Sequence, residues 1–212
     1  MILRRLAVLL VMFLAVSTCA MAQRADVGFV VGASFASDTT LPTGIVCITA
    51  PCPTAFTVQT GHHIFYAGEL AYRVANFKIA SLHIELPITG VPSAPAKFTG
   101  TVTLTHLTSI FVTPSLRVKL LPHSPISPFA SAGIGSAHYD DGTNATTKFA
   151  YQLGGGLDFR SPIPLFGFRA EVRDYISGVP NFGLVSTAIG SSSQPSNHRN
   201  NLLLGAGIVV KF

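Results

Sequence analysis

Beyond its first 22 residues, the chain of 212 residues lacks any apolar run long enough to form a membrane-spanning helix. Such a helix needs about 20 consecutive apolar residues, whereas 19 glycines and 14 prolines interrupt this sequence. The chain is nevertheless 48% hydrophobic, with a mean hydropathy of +0.48. Short apolar runs separated by Gly and Pro are typical of an all-β chain with many turns.

Charge is also scarce, because Asp, Glu, Lys and Arg make up only 11% of the residues. The chain has 14 basic and 9 acidic residues, which gives a formal net charge of +5. Without Arg4 and Arg5, 12 basic residues remain and the net charge is +3. The sequence contains no basic run and no basic motif interleaved with aromatic residues, the patterns that nucleic-acid-binding chains show. We therefore expect no nucleic-acid partner.

The N-terminal segment has the three parts of a secretory signal peptide. Two arginines precede an apolar run over residues 6–16, and small residues lead to Ala22. We expect cleavage after Ala22, so that residues 1–22 are removed and residues 23–212 form a single mature domain. A lipid-modified N-terminus at Cys19 is an alternative, but the residues before it fit a lipoprotein motif poorly.

The mature part divides into eight segments in which apolar residues alternate with small, polar or charged ones. The last segment is the clearest, because its even-numbered residues from Leu202 to Phe212 are all apolar, while the odd-numbered ones include Asn201, Gly205 and Lys211. A soluble sheet buries such an apolar face, whereas a membrane barrel turns it towards lipid. The eight segments lie at about 25–38, 62–75, 78–90, 108–121, 128–139, 148–160, 167–176 and 200–212.

The connections between these segments alternate in length. Those after the second, fourth and sixth segments are short, and the others run over residues 39–61, 91–107, 140–147 and 177–199. Short turns on one side and long loops on the other are typical of transmembrane barrels, whose long loops are external. We expect eight antiparallel strands, although a further hairpin within 91–107 would give ten, or residues 98–107 could lengthen the fourth strand.

Three segments resemble the small outer-membrane β-barrel family of the OmpA-like and OmpX-like kind. They are residues 149–160, residues 168–175 and the last strand, which ends at Phe212. The resemblance implies an all-β, antiparallel up-and-down transmembrane barrel in the outer membrane of a Gram-negative type bacterium, without a periplasmic domain. It also implies contact with outer-membrane lipids and lipopolysaccharide, and insertion by the outer-membrane assembly machinery, for which Phe212 is the assembly signal.

The charged residues of the segments share a face with Gly and Ser, so the barrel prediction places them inside. Eight strands leave an interior that side chains fill, and buried charges need partners. We expect a salt-bridge network that seals the lumen, with a narrow gated pore for small solutes as the alternative. The predicted network comprises Glu69, Arg73, Glu85, Arg117, Lys119, Asp158, Arg160, Arg169, Glu171 and Arg173, with Lys211 and His83 on the same face.

The first long loop contains Cys47 and Cys52. Because a secreted chain folds in an oxidising compartment, we predict that these two residues form a disulfide. A metal site is the alternative, but it would need further ligands, and the nearest histidines, His62 and His63, lie ten residues further on.

An enzyme that modifies lipid A is a hypothesis from a different class. It would need a Ser nucleophile near a His that a carboxylate orients. His198 near Ser196 is one candidate and His62 with His63 another, but Ser196 and His198 reverse the His-x-Ser order of lipid A deacylases. Residues 140–144 lack the spaced ligands of a calcium loop. We therefore predict no catalytic residue, metal or cofactor, and a structural, adhesion or surface-interaction role carried by the external loops.

Overall fold

A computed structural model describes residues 24–37, 39–42, 55–60, 62–98, 103–140, 142, 145–163, 165–179 and 198–212. Within these ranges no helix is long and apolar enough to cross a membrane, and the chain is all-β. The strands are β1 (Ala25–Ala36), β2 (Thr39–Pro42), β3 (Ala55–Thr60), β4 (His62–Asn76), β5 (Ala80–Phe98), β6 (Thr103–Val112), β7 (Ser115–Leu120), β8 (Ile126–Asp140), β9 (Ala145–Arg160), β10 (Phe166–Gly178) and β11 (His198–Lys211).

These strands form a closed antiparallel barrel of eight barrel strands, in which β6 and β7 together make one. Consecutive barrel strands pair with each other, and the last strand returns to the first, with a register that runs from Asp26 opposite Lys211 to Ala36 opposite Asn201. Closure removes the unpaired edges that an open sheet would expose. The predicted fold class and the number of barrel strands are confirmed.

The apolar faces point out of the barrel, as the alternation predicts. On β11, Leu204 is 57% exposed while its neighbour Leu203 is 1% exposed, because successive side chains of a strand point to opposite sides. Phe168 on β10 is likewise exposed and Arg169 buried. A soluble barrel would show the reverse distribution, so the wall is built to face lipid.

One predicted strand is interrupted. The segment expected at 108–121 is split at Thr113 and Pro114, between β6 and β7. Neither Pro114 nor Pro87 of β5 has a backbone N–H to donate to the neighbouring strand. The remaining bond here is long, since the Thr113 N–H donates to the Pro87 carbonyl at 3.4 Å. The wall stays closed on the other side, because the Ile134 N–H donates to the Pro114 carbonyl at 3.1 Å.

Two long connections contain more strand than the sequence predicts. β5 continues to Phe98 and β6 starts at Thr103, so strands lengthen within 91–107 and no further barrel hairpin forms there. The first connection, expected as a loop, carries the hairpin of β2 and β3, and β3 pairs with the far end of β5 through Val58 and Phe98. The ten-strand alternative is therefore wrong.

The barrel has two distinct ends. Short turns join β4 to β5, β7 to β8 and β9 to β10, and Arg24 and Phe212 lie at the same end, which we call the short-turn end. The opposite end, here the long-loop end, carries the β2–β3 hairpin. This arrangement agrees with the alternating connection lengths of the sequence.

Candidate functional site

Glu69 lies at the centre of a buried ion-pair cluster in the lumen. Its carboxylate, on β4, accepts a 3.1 Å hydrogen bond from Arg117 and a 2.5 Å bond from Arg173, and it also pairs with Arg169. The three guanidinium groups come from β7 and β10, across the barrel. One acidic side chain therefore links two widely separated parts of the wall.

Two further carboxylates, those of Glu85 and Glu171, belong to the cluster. Glu85 of β5 pairs with Arg117 and with Arg173, the latter at 2.5 Å. Glu171 of β10 accepts from Arg173 Nε at 2.9 Å. Arg117 thus meets two carboxylates and Arg173 three, and a carboxylate can accept paired hydrogen bonds from the fork of a guanidinium group.

Asp158 of β9 forms the side of the cluster nearest the short-turn end. It accepts from Lys119 at 2.5 Å and from Arg169 Nε at 2.7 Å. The ring of Phe129 lies under the guanidinium carbons of Arg117 and Arg169, at 4.9 and 4.8 Å from the ring centre. Aromatic faces attract cations at such distances, most strongly where water is excluded.

The cluster, which we call the luminal network, contains eight of the ten charged residues predicted from the sequence. Its four acidic and four basic side chains are balanced in charge and at most 5% exposed. Its members are Glu69, Glu85, Arg117, Lys119, Asp158, Arg169, Glu171 and Arg173. Balance matters because a buried charge without a partner is strongly destabilising.

The other two predicted residues lie at the short-turn end. Arg160 is exposed at the last residue of β9 and forms no ion pair with another described residue, since the wall ends there and solvent begins. Arg73 is half-buried, opposite His83 in the pairing of β4 with β5. The side chains of Lys211 and His83 share this end of the lumen.

An aromatic layer fills the lumen on the long-loop side of the network. The ring of Phe111 stacks on Tyr175 with centres 4.5 Å apart, and it meets Tyr139 edge-on at 6.1 Å. Tyr175 shares a 2.9 Å hydrogen bond with Thr89, and Tyr139 one of 2.6 Å with Ser177. The rings are buried, and the hydroxyl groups of both tyrosines are hydrogen-bonded, as those of buried tyrosines usually are.

Sequence reasoning predicted the charges but not this aromatic layer. The sequence does indicate that these rings face the lumen, because Phe111 lies at an odd-numbered position like Arg117, and Tyr175 at an odd-numbered position like Arg173. Leu107, Val30 and Leu203 are buried among the same group. The lumen is thus filled twice along its axis, once by paired charges and once by packed rings.

Several other predicted residues lie elsewhere. Cys47, Cys52 and Ser196 fall outside the described residues, so the disulfide remains a prediction.

The histidine candidates differ in their surroundings. His198 is exposed, His62 packs edge-on against Phe35, and His63 is half-buried opposite Ser34. At the tip of the β8–β9 hairpin the Gly142 N–H donates to Asp140 at 2.7 Å, with Gly142 at φ +85°. Among the described side chains, no three His, Cys, Asp or Glu residues cluster as a metal site would require.

No protein-family model matches the chain, and no curated protein sequence is significantly similar to it. The similarity lies in solved structures. Neisserial surface protein A (NspA) matches with a TM-score of 0.53 and 14% identity over 89% of this chain and 97% of the other. The chain has the fold of the small outer-membrane β-barrels.

Two further matches are more distant. Ail, the attachment invasion locus protein of Yersinia pestis, solved with the heparin analogue sucrose octasulfate, has a TM-score of 0.39 and 14% identity over 88% of this chain and 99% of its own. The outer membrane protein AlkL, solved in lipid bilayers, has a TM-score of 0.42 and 15% identity over 90% and 92% of the two chains. The fold that the chain shares with NspA agrees, together with the apolar outer wall, with the expected outer-membrane localisation.

Proposed function

We propose that the mature chain, residues 23–212, is an integral outer-membrane protein whose barrel is a sealed anchor for its external loops. The main support for this proposal is that two layers of side chains fill the lumen, the luminal network and the aromatic layer around Phe111. A filled lumen leaves the long-loop end as the surface available to partners, because the outer wall is occupied by lipid.

The role of this surface is adhesion, interaction with a partner outside the cell, or structural support of the envelope. Loops on a rigid scaffold commonly carry binding functions. The similarity to a Neisserial surface protein supports a surface location but names no ligand for this chain. Contacts of the wall with lipopolysaccharide, and assembly directed by the strand that ends at Phe212, belong to the same proposal.

Display of the loops can be tested in intact cells. An epitope inserted between β10 and β11, within residues 180–197, should be reached by antibody without permeabilisation. The matched control is the same epitope in the short turn at Lys78, which should be reached only after the outer membrane is opened. Labelling of the Lys78 site in intact cells, together with an inaccessible loop, would reverse the proposed orientation.

The pore and the enzyme make separate predictions. Purified protein in planar bilayers should give no reproducible open-channel current, and such a current would overturn the sealed anchor. Lipid A from cells that overexpress the protein should keep its mass spectrum. His83 shares a hydrogen bond with Ser81, but its Nδ1 is bonded to no carboxylate that could orient the ring, and no other described His is hydrogen-bonded to a serine. Loss of an acyl chain from lipid A, abolished by changing His198 or His63 to Ala, would assign catalysis instead.

A further inference from the structure

A concave region lies at the short-turn end, beyond the luminal network. It is a cavity of about 360 Å³, and the basic residues that line it are Arg24, Arg73, Lys119, Arg160 and Lys211, together with the acidic residue Asp26. The proposed anchor function uses none of these groups except Lys119. The cavity therefore requires its own explanation.

The strand register brings these side chains together. Asp26 lies opposite Lys211 in the pairing that closes the barrel, Arg73 lies opposite His83, and Lys119 lies opposite Ser81. These positions face inward near the last level of their strands, and turn residues such as His123 and Leu165 complete the lining. Side chains on strands are positioned more precisely than those on loops, as a binding site requires.

The charge of the cavity is not balanced by its own residues. Lys119 is paired with Asp158 of the network. The other four Lys and Arg side chains of the lining stand against one carboxylate side chain, Asp26, so the lining carries more positive than negative side-chain charge, whereas the luminal network is neutral. Like charges held close together in a concave, partly desolvated region favour an anion.

His83 supplies a second, independent indication of a ligand. The residue is 5% exposed and lines the cavity, and its Nε2 shares a 3.0 Å hydrogen bond with Ser81. Its buried Nδ1 has no hydrogen-bond partner among the described residues. Since buried polar atoms in folded proteins are nearly always bonded, an orphaned one at a cavity wall points to a missing partner.

We propose that this cavity binds a phosphate group. The guanidinium of Arg160 can present two parallel N–H donors to phosphate oxygens, and Lys211 adds a point charge beside it. Leu165 and Phe166 form an apolar part of the lining, which suits the organic part of a phosphate ester. The phosphate belongs either to a free solute or to a phospholipid headgroup of the adjacent leaflet; only the second source depends on the proposed membrane location.

The test uses the full mature protein folded in detergent, with inorganic phosphate as the first probe. Saturable binding by calorimetry is expected for the wild type, with a loss of at least about tenfold in affinity for Arg160→Gln and for Lys211→Gln, which each remove a charged hydrogen-bond donor. Lys78→Gln is the matched control, because Lys78 is exposed in a turn at the same end and does not line the cavity. Lys211→Arg should keep the affinity.

A second arm distinguishes the sources of the phosphate. Native mass spectrometry with phosphatidylglycerol should show a retained lipid on the wild type and on Lys78→Gln, but not on Arg160→Gln, if the headgroup is the ligand. Binding of inorganic phosphate without retained lipid would assign a free solute. If the wild type binds neither inorganic phosphate nor the lipid, or if Lys78→Gln loses as much affinity as Arg160→Gln, the proposed site is wrong. Circular dichroism of each variant checks that the barrel is folded.

Discussion

Replacement of Glu69 by Gln tests the physical basis of the sealed lumen. Glu69 is 3% exposed and pairs with Arg117, Arg169 and Arg173. The amide keeps the size of the side chain but removes its charge, so the luminal network changes from four acidic groups to three, against four basic groups. One guanidinium charge is then left without compensation in a region that water does not reach.

The expected cost follows from the burial of the pair. Removal of one partner from a buried ion pair typically destabilises a protein by about 3–5 kcal/mol, because the remaining charge is left unpaired in a medium of low dielectric. This corresponds to about two to four orders of magnitude in the folding equilibrium. An exposed pair would cost only about 0–1 kcal/mol, so the two cases are well separated.

The assay is reversible urea unfolding of the barrel in lipid vesicles, followed by tryptophan-independent methods such as circular dichroism, since the chain contains no Trp. Lys78→Gln serves as the control, because it removes one exposed charge at the surface and should change the free energy of unfolding by about 0.5 kcal/mol or less. A Glu69→Gln variant as stable as this control would show that the paired charges of the luminal network do not stabilise the barrel.

Three other predictions follow from the same structure. The barrel with Glu69→Ala alone should not conduct in planar bilayers, because the aromatic layer still fills the lumen. Glu69→Ala combined with Phe111→Ala should give measurable current, because both layers are then weakened. Conduction by the single variant would show that the aromatic layer does not seal the lumen. Gly207→Val should reduce the folded fraction on heat-modifiability gels, since a Cβ at this position would lie 2.0 Å from the Phe29 carbonyl oxygen. Such overpacking costs about 1–3 kcal/mol or more. Ala206→Val is the control, because its side chain faces outward, and an equal folded fraction of the two variants would contradict the prediction. Non-reducing mass spectrometry should find Cys47 and Cys52 two hydrogens lighter than the dithiol, and two alkylatable thiols would disprove the disulfide.

The fold was predictable because lipid on one side and a filled lumen on the other impose the same period of two on every barrel strand. Leu204 and Leu203 differ in environment only through their parity, and the sequence shows that parity directly. Arg160 shows where such reasoning stops. It has the correct parity for the lumen, but its exposure depends on where the wall ends, which alternation alone does not determine.

The pairing within the luminal network could not be predicted for a different reason. Glu69 and Arg169 are 100 positions apart in the chain, and their contact depends on the register of every strand between them. The interruption at Pro114 has a visible local cause, yet its effect requires Pro87 on the neighbouring strand, which only the pairing of β5 with β6 and β7 brings close. Local pattern predicts faces, whereas contacts across the barrel need the closed topology.

The central claim, that the apolar face meets lipid and the other face fills a sealed lumen, is tested most directly by methyl NMR of the wild type in bicelles that contain a spin-labelled lipid. Strong paramagnetic broadening is expected for the methyl signals of Leu204 and Ile208, which are 57% and 46% exposed, and little broadening for Leu203 and Val209, which are each 1% exposed. Equal broadening of the two pairs, or stronger broadening of Leu203 and Val209, would contradict it.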